Sequence, residues 1–310
     1  MMAGQAWTVG LDVGGTKVLG GLVAEDGQVA TTLRRDTPVG EGASGILATM
    51  AAVTRALMAE SAGPVHGVGV STAGHVEAGT GTVIDGTPNL PGWAGTPVAA
   101  WLSDTVGLPV CADNDANAAA WAEAWCGAGK GLRTVVAVTL GTGFGGGVVD
   151  AGHVLRGAHG GGAELGHMIL VPDGRACNCG RFGCVEAYLS GTALGREAVR
   201  LWGADADAHV LFARAEAGDG LALEVLETFS AQLASVMVSL TSLFDPDVIL
   251  IGGGLSRQGE AYLPRMRARM DLMLAGRRWS SAMVRLAALG EAAGFIGAAG
   301  QAWQHFGTRR

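Results

Sequence analysis

Charge is what this sequence has little of. Only 16% of its 310 residues are Asp, Glu, Lys or Arg, and the basic ones form no run beyond short pairs such as Arg277-Arg278 and Arg309-Arg310. A nucleic-acid surface needs a basic stripe, and a net charge of −7 without such a run does not supply one. No uninterrupted apolar run reaches the roughly 18–20 residues that a membrane helix requires. The start, Met1-Met2-Ala3-Gly4-Gln5-Ala6-Trp7, lacks both the basic and the apolar stretch of an export signal. Linkers, low-complexity tracts and short-period repeats are also missing. Glycine, by contrast, is abundant at 52 residues in a chain that is 49% apolar. That is the composition of a globular, enzyme-like chain with many tight loops. Its length favours two domains over one core.

The five cysteines are unevenly placed. Cys177, Cys179 and Cys184 fall within eight residues, downstream of His167. Zinc takes four tetrahedral ligands from Cys sulfur and His nitrogen, and a Cys3His set leaves no place for water, as in a structural ion. Gly174, Gly180 and Gly183 suit the tight turns that would aim three thiolates at one point. A disulfide or a chance cluster are the alternatives, and short Cys/His tracts without secretory features favour the metal. The same features make a reducing cytoplasm the expected compartment. Cys111 and Cys126, among apolar neighbours, read as buried, inert thiols.

Three stretches share one pattern, an apolar strand running into glycines. Trp7 to Val13 ends at Gly14-Gly15, and Thr16-Lys17 opens a second strand, with a third from Gln28 to Arg35. Two glycines let backbone N–H groups approach an anion, Thr16 and Lys17 can donate to it, and Asp12 could hold Mg²⁺ through water. An ordinary hairpin turn is the plain alternative. Thr134 to Leu140 breaks in the same way at Gly141-Thr142-Gly143, with a strand resuming at Val148. A dinucleotide site would place a helix straight after the glycines, so that reading is set aside. Val248 to Ile251 runs into Gly252-Gly253-Gly254, where a base or ribose could lie on the backbone, or where the chain merely connects strand to helix. Helical spacing marks 43–60, 97–106, 116–125, 193–202, 207–217, 221–243 and 291–303. Asp113-Asn114-Asp115 lies at a strand-to-helix junction, where a helix cap explains one of the three residues. Asn89, in the turn Pro88 to Trp93, is by default a turn residue.

Glu164-Leu165-Gly166-His167 followed by Cys177-Asn178-Cys179-Gly180-Arg181-Phe182-Gly183-Cys184-Val185-Glu186 resembles the zinc signature of the ROK family of bacterial sugar kinases and repressors. The resemblance runs from Leu11 to about Gly300. It implies an α/β, two-domain fold of the actin/hexokinase/Hsp70 type, with duplicated ribonuclease H-like domains and a cleft between them. The domains would be 1–113 with about 291–310, and 114–290 carrying the zinc loop. It implies that Asp12, Gly14, Gly15, Thr16, Lys17, Gly141, Thr142 and Gly143 surround ATP phosphates and Mg²⁺, and that Gly252, Gly253 and Gly254 take the adenosine. Asn114-Asp115-Ala116-Asn117 matches the element whose Asp is the catalytic base, Asp115. Asn89, Asn114, Asp115, Glu164, His167 and Glu186 would bind the sugar, with His167, Cys177, Cys179 and Cys184 on zinc.

The expected activity is therefore ATP-dependent phosphorylation of the 6-hydroxyl of a hexose, glucose first. N-acetylglucosamine, N-acetylmannosamine and fructose kinases share every motif, and Ser71-Thr72-Ala73-Gly74 departs from the Pro-Gly of many glucokinases. Polyphosphate is the rival phosphoryl donor. The family resemblance also suggests a homodimer or homotetramer. A sugar-responsive repressor would need a helix-turn-helix module ahead of the first phosphate motif, and Asp12 is too near the start for one. A zinc-stabilised sugar-binding protein without turnover is the third reading.

Overall fold

The computed structural model describes residues 5–87 and 89–307; Met1–Gly4, Pro88 of the expected turn and the Arg309-Arg310 pair lie outside the described residues. The chain opens with an antiparallel meander of β1 (Trp7–Val13), β2 (Lys17–Val23) and β3 (Val29–Asp36). Next come α1 (Gly42–Glu60), β4 (Val65–Thr72), a small hairpin of β5 (His75–Glu77) and β6 (Thr82–Asp85), α2 (Val98–Val106), β7 (Val110–Asn114) and α3 (Asp115–Trp125). β4 and β7 join in parallel beside β1, giving the order β3-β2-β1-β4-β7. Val9, Leu11 and Val13 of β1 are buried, as expected of a central strand in a mostly apolar run.

The same plan then recurs. β8 (Thr134–Leu140), β9 (Phe144–Asp150) and β10 (His153–Val154) form a second meander. After a long loop come α4 (Gly191–Trp202), α5 (Ala208–Glu216) and α6 (Gly220–Phe244), then β11 (Val248–Gly252), α7 (Gly259–Met273) and β12 (Val284–Leu286). The sheet order is β10-β9-β8-β11-β12, with β11 parallel to both β8 and β12. The chain closes with α8 (Ala293–Phe306).

By packing, one compact unit takes 1–131, 147–163 and 289–310, and the other takes 132–146 and 164–288. α3 lies beyond the division expected near Asp113, yet it belongs with the first unit because it packs on α8. The helix α7 has no counterpart in the sequence expectations. Pro264 inside it reads as a breaker, while Tyr262, Met266 and Met270 supply a buried stripe at spacing four. The stretch Val39–Glu60 and α6 are long and apolar enough to cross a membrane. Here Ile46, Met50, Val53 and Leu57 of α1, and Leu226, Leu233, Met237 and Leu240 of α6, are buried in the protein itself.

Candidate active site

In the first unit the turn between β1 and β2 is held by its carbonyls. The Gly14 carbonyl accepts from the Thr37 hydroxyl at 2.6 Å, the Thr16 carbonyl from the Thr37 amide at 3.1 Å, and the Lys17 carbonyl from the Gly14 amide at 3.0 Å. In a trans peptide the next N–H points opposite to its carbonyl, so pinning Gly14 O aims the Gly15 amide the other way. Asp12, at the end of β1, accepts from the buried Ser71 hydroxyl at 2.8 Å. Burial pushes its carboxyl above the usual range, partly offset by the Ser71 hydrogen bond and by Lys17. The Lys17 ammonium meets Glu291 at 2.9 Å. A Cβ at Gly15 would lie 2.7 Å from the Asn89 carbonyl, so this turn and the Asn89 loop are immediate neighbours.

The β7–α3 junction is built more tightly than a capped helix needs. Asn114 is the cap: its side-chain oxygen accepts from Ala116 N at 2.9 Å and Asn117 N at 3.3 Å, and its amide donates to Gly74 O at 3.0 Å. Asp115 occupies the first helical position, one carboxylate oxygen accepting from Ala116 N at 2.8 Å. Asp113, almost fully buried, is surrounded by donors. Arg156 reaches one oxygen by two nitrogens at 3.0 and 2.7 Å, Gln301 of α8 reaches the same oxygen at 2.8 Å, and Asn117 reaches the other at 3.1 Å. A buried carboxylate is tolerable when its lone pairs are filled in this way. Nothing in the sequence singled out Arg156 or Gln301 as its partners. Beside this junction Trp93 is fully buried and donates its indole N–H to Thr72 at 2.9 Å.

In the second unit the turn between β8 and β9 follows the same rule with different partners. Gly141 O accepts from Gly191 N at 2.7 Å, Thr142 O from the Thr192 hydroxyl at 2.8 Å, and Gly143 O from Gly141 N at 3.0 Å. The carbonyls of Gly141 and Thr142 thus face the start of α4, and the amides of Thr142 and Gly143 point away from it. Successive amides free to converge form an anion-binding concavity. Glu186 accepts from Phe144 N at 3.0 Å. Gly252 ends β11, Gly253 turns the chain at φ +82°, and its carbonyl takes the Ser256 hydroxyl at 2.7 Å, leaving Gly254 with open space beside it.

His167, Cys177, Cys179 and Cys184 gather as expected, their ligand atoms all within 4.8 Å of one another. Cys177 Sγ is 3.7 Å from His167 Nδ1, and Cys179 Sγ is 3.7 Å from Cys184 Sγ. Two sulfurs held tetrahedrally at about 2.3 Å from zinc would be about 3.8 Å apart, so the donor set fits the ion. Gly180 and Gly183 adopt the left-handed backbone that the turns were expected to need. Burial pushes the Cys177 thiol up to about 12. Burial also works against ionisation of Cys179, yet hydrogen bonds from Arg181 and its neighbouring thiols bring it down to about 6. Such a cluster favours a single thiolate on its own, and a cation would favour the others too. Glu164 is exposed at the head of the loop. Cys111 and Cys126 are free thiols, partly buried rather than fully so, and burial raises both, to about 12 and about 11, which disfavours the reactive thiolate.

Residues 8–304 match the ROK family. The chain is a member of the ROK family. It is 36% identical over 305 residues to a glucokinase of Thermotoga maritima, covering 94% of this chain and 95% of that one. It is 38% identical to a glucokinase of Streptomyces coelicolor, at 94% and 96% coverage. An N-acetylmannosamine kinase of Escherichia coli is 32% identical over 256 residues, at 83% and 85% coverage. Its structure resembles that of a ROK hexokinase from Thermus thermophilus, with a TM-score of 0.89, 35% identity, and 96% and 98% of the two chains covered. It also resembles a ROK glucokinase from Streptomyces griseus in complex with glucose and AMPPNP, with a TM-score of 0.81, 36% identity, and 96% and 99% covered. The ROK chain therefore has the two-domain actin/hexokinase-like ATPase fold.

Proposed function

We propose that this ROK chain is an ATP-dependent hexose kinase that phosphorylates the 6-hydroxyl, with glucose as its main acceptor. The observation that carries the reading is the pair of glycine turns, each with its carbonyls tied back and amides left to meet an anion. Phosphoryl transfer demands little covalent chemistry from the protein, so aligned donors and neutralised charge are what the site must offer. Its likeness to glucokinases over nearly the whole chain supports the acceptor class.

In this reading Asp115 takes the proton from the sugar hydroxyl as its oxygen attacks the γ-phosphorus and the bond to the β-phosphate oxygen breaks. An ordinary carboxylate suffices, because the proton leaves late and placement matters more than basicity. Asn114 fixes that placement by capping α3. Gly14, Gly15, Thr16, Lys17, Gly141, Thr142 and Gly143 serve the phosphates, and Gly252, Gly253 and Gly254 serve the adenosine. Asp12 would hold Mg²⁺ through water, the ion neutralising phosphate charge. Asn89, Glu164, His167 and Glu186 would join Asn114 and Asp115 in accepting from and donating to sugar hydroxyls. Zinc on His167, Cys177, Cys179 and Cys184 would be structural. His167 would ligate through Nδ1, the nitrogen beside Cys177, which leaves Nε2–H as a donor of fixed direction. A cytoplasmic setting accords with five unpaired thiols.

The loop Ser71–Gly74 supports a second acceptor. The Ser71 hydroxyl is engaged by Asp12 and Thr72 by Trp93, which leaves only the small Ala73 and Gly74 to border a substituent such as an acetamido group. A panel of glucose, fructose, N-acetylglucosamine and N-acetylmannosamine with MgATP, and glucose with polyphosphate, decides among these. The highest kcat/KM is expected for glucose with ATP; preference for an N-acetyl sugar would overturn the glucose assignment.

A further inference from the structure

Glu186 is placed to do more than meet a sugar. It follows the last cysteine of the metal loop by two residues, and its two carboxylate oxygens are used differently. One accepts the Phe144 amide at 3.0 Å; the other lies 3.7 Å from Cys177 Sγ. Phe144 is the residue after the Gly141–Thr142–Gly143 turn. A Cβ at Gly143 would come within 2.3 Å of the same oxygen that holds Phe144, so the carboxylate is pressed against the turn itself. The turn has three other ties, the carbonyls of Gly141, Thr142 and Gly143 to Gly191, Thr192 and Gly141. The first two orient the peptides entering the turn, and the third holds the carbonyl end of the peptide leaving it. Glu186 holds that leaving peptide from its other end, through the Phe144 amide.

We propose that Glu186 is a positioning residue for nucleotide phosphate. By accepting the Phe144 N–H it secures, opposite the Gly141 N–H on the Gly143 carbonyl, the outgoing peptide of the Gly141–Gly143 turn, and so the convergence of the Thr142 and Gly143 amides. This rests on the phosphate reading of that turn. The arrangement also gives the metal loop a direct mechanical route to the nucleotide, through one side chain anchored between Cys177 and Phe144.

The test is calorimetric titration of the zinc-replete protein with MgAMPPNP, sugar omitted. Glu186→Ala removes the acceptor and should weaken AMPPNP about tenfold, the size of a lost hydrogen bond to a charged group. Glu186→Gln keeps an acceptor oxygen for Phe144 and should stay within about twofold of the parent, at equal zinc content. Gly143→Ala should evict the carboxylate, so Gly143→Ala combined with Glu186→Ala should bind no more weakly than the weaker single variant. Parent-like binding by Glu186→Ala, equal losses for Ala and Gln, or additive losses in the double variant would each overturn the role of Glu186. A parent protein that binds no MgAMPPNP at all would instead overturn the phosphate reading of the turn.

Discussion

The turn after β1 and the turn after β8 solve one problem with different hardware. Each must keep its amides turned outward while its carbonyls stay satisfied. The first is served by Thr37, the residue directly after β3, so the brace comes from the same meander as the turn. The second is served by Gly191, Thr192 and Glu186, from the segment that includes the metal loop and the start of α4. Equivalent positions in a duplicated plan have thus acquired unequal dependence. The first turn should answer only to its own sheet, and the second to whatever holds the metal loop.

The largest expected effect tests whether chemistry belongs to one unit. Asp115→Ala should lower kcat by 10²–10⁴-fold, the usual worth of a positioned base, while glucose affinity by titration shifts only a few-fold. Turnover close to that of the parent would leave a binding protein without catalysis. With zinc on the His167–Cys177–Cys179–Cys184 cluster, as proposed above, chelating it should act on the other unit: the melting temperature falls, and affinity for both glucose and MgAMPPNP drops, restored by added Zn²⁺. If only glucose suffers, the second turn does not depend on the metal loop. Next, Thr37→Val should weaken MgAMPPNP about tenfold, because it strands the Gly14 carbonyl in a part-buried place, and zinc removal should not change that factor. Thr192→Val should cost less, about threefold, since its hydrogen bond to the Thr142 carbonyl is exposed and water can replace the hydroxyl. Equal losses would erase the contrast between the two braces.

The smallest effect is in pH. Burial raises Asp12, and the Ser71 hydrogen bond favours its ionised form. Ser71→Ala removes that help, so the carboxylate protonates at higher pH and the acid limb of kcat/KM for MgATP moves upward, by less than about one pH unit. A limb that stays in place, or moves down, would show that Ser71 does not tune Asp12.

Sequence reading reached the sheets, because apolar runs ending in glycines name buried strands and tight turns at once. It reached the thiol cluster because three cysteines in eight residues have few ways to avoid one another. It missed α7, whose proline and arginines conceal the buried stripe of Tyr262, Met266 and Met270. It also missed the braces. Thr37 is a lone threonine before a proline, and nothing in its surroundings reports that a turn 23 residues earlier will need its hydroxyl. Asp113 was legible as an acid at a strand end, but its burial among Arg156, Asn117 and Gln301 is a fact of three-dimensional packing.

That last contact has a consequence for how the molecule is made. Gln301 belongs to α8, which lies against β1 and β4 and reaches the strand end that presents Asp115. On the ribosome, the strands of the first sheet emerge early and wait through the synthesis of the whole second unit before the helix that completes their core arrives. Until then a nascent chain has Asp113 but not the Gln301 amide that fills its lone pair, so the strand end leading into Asp115 is completed last.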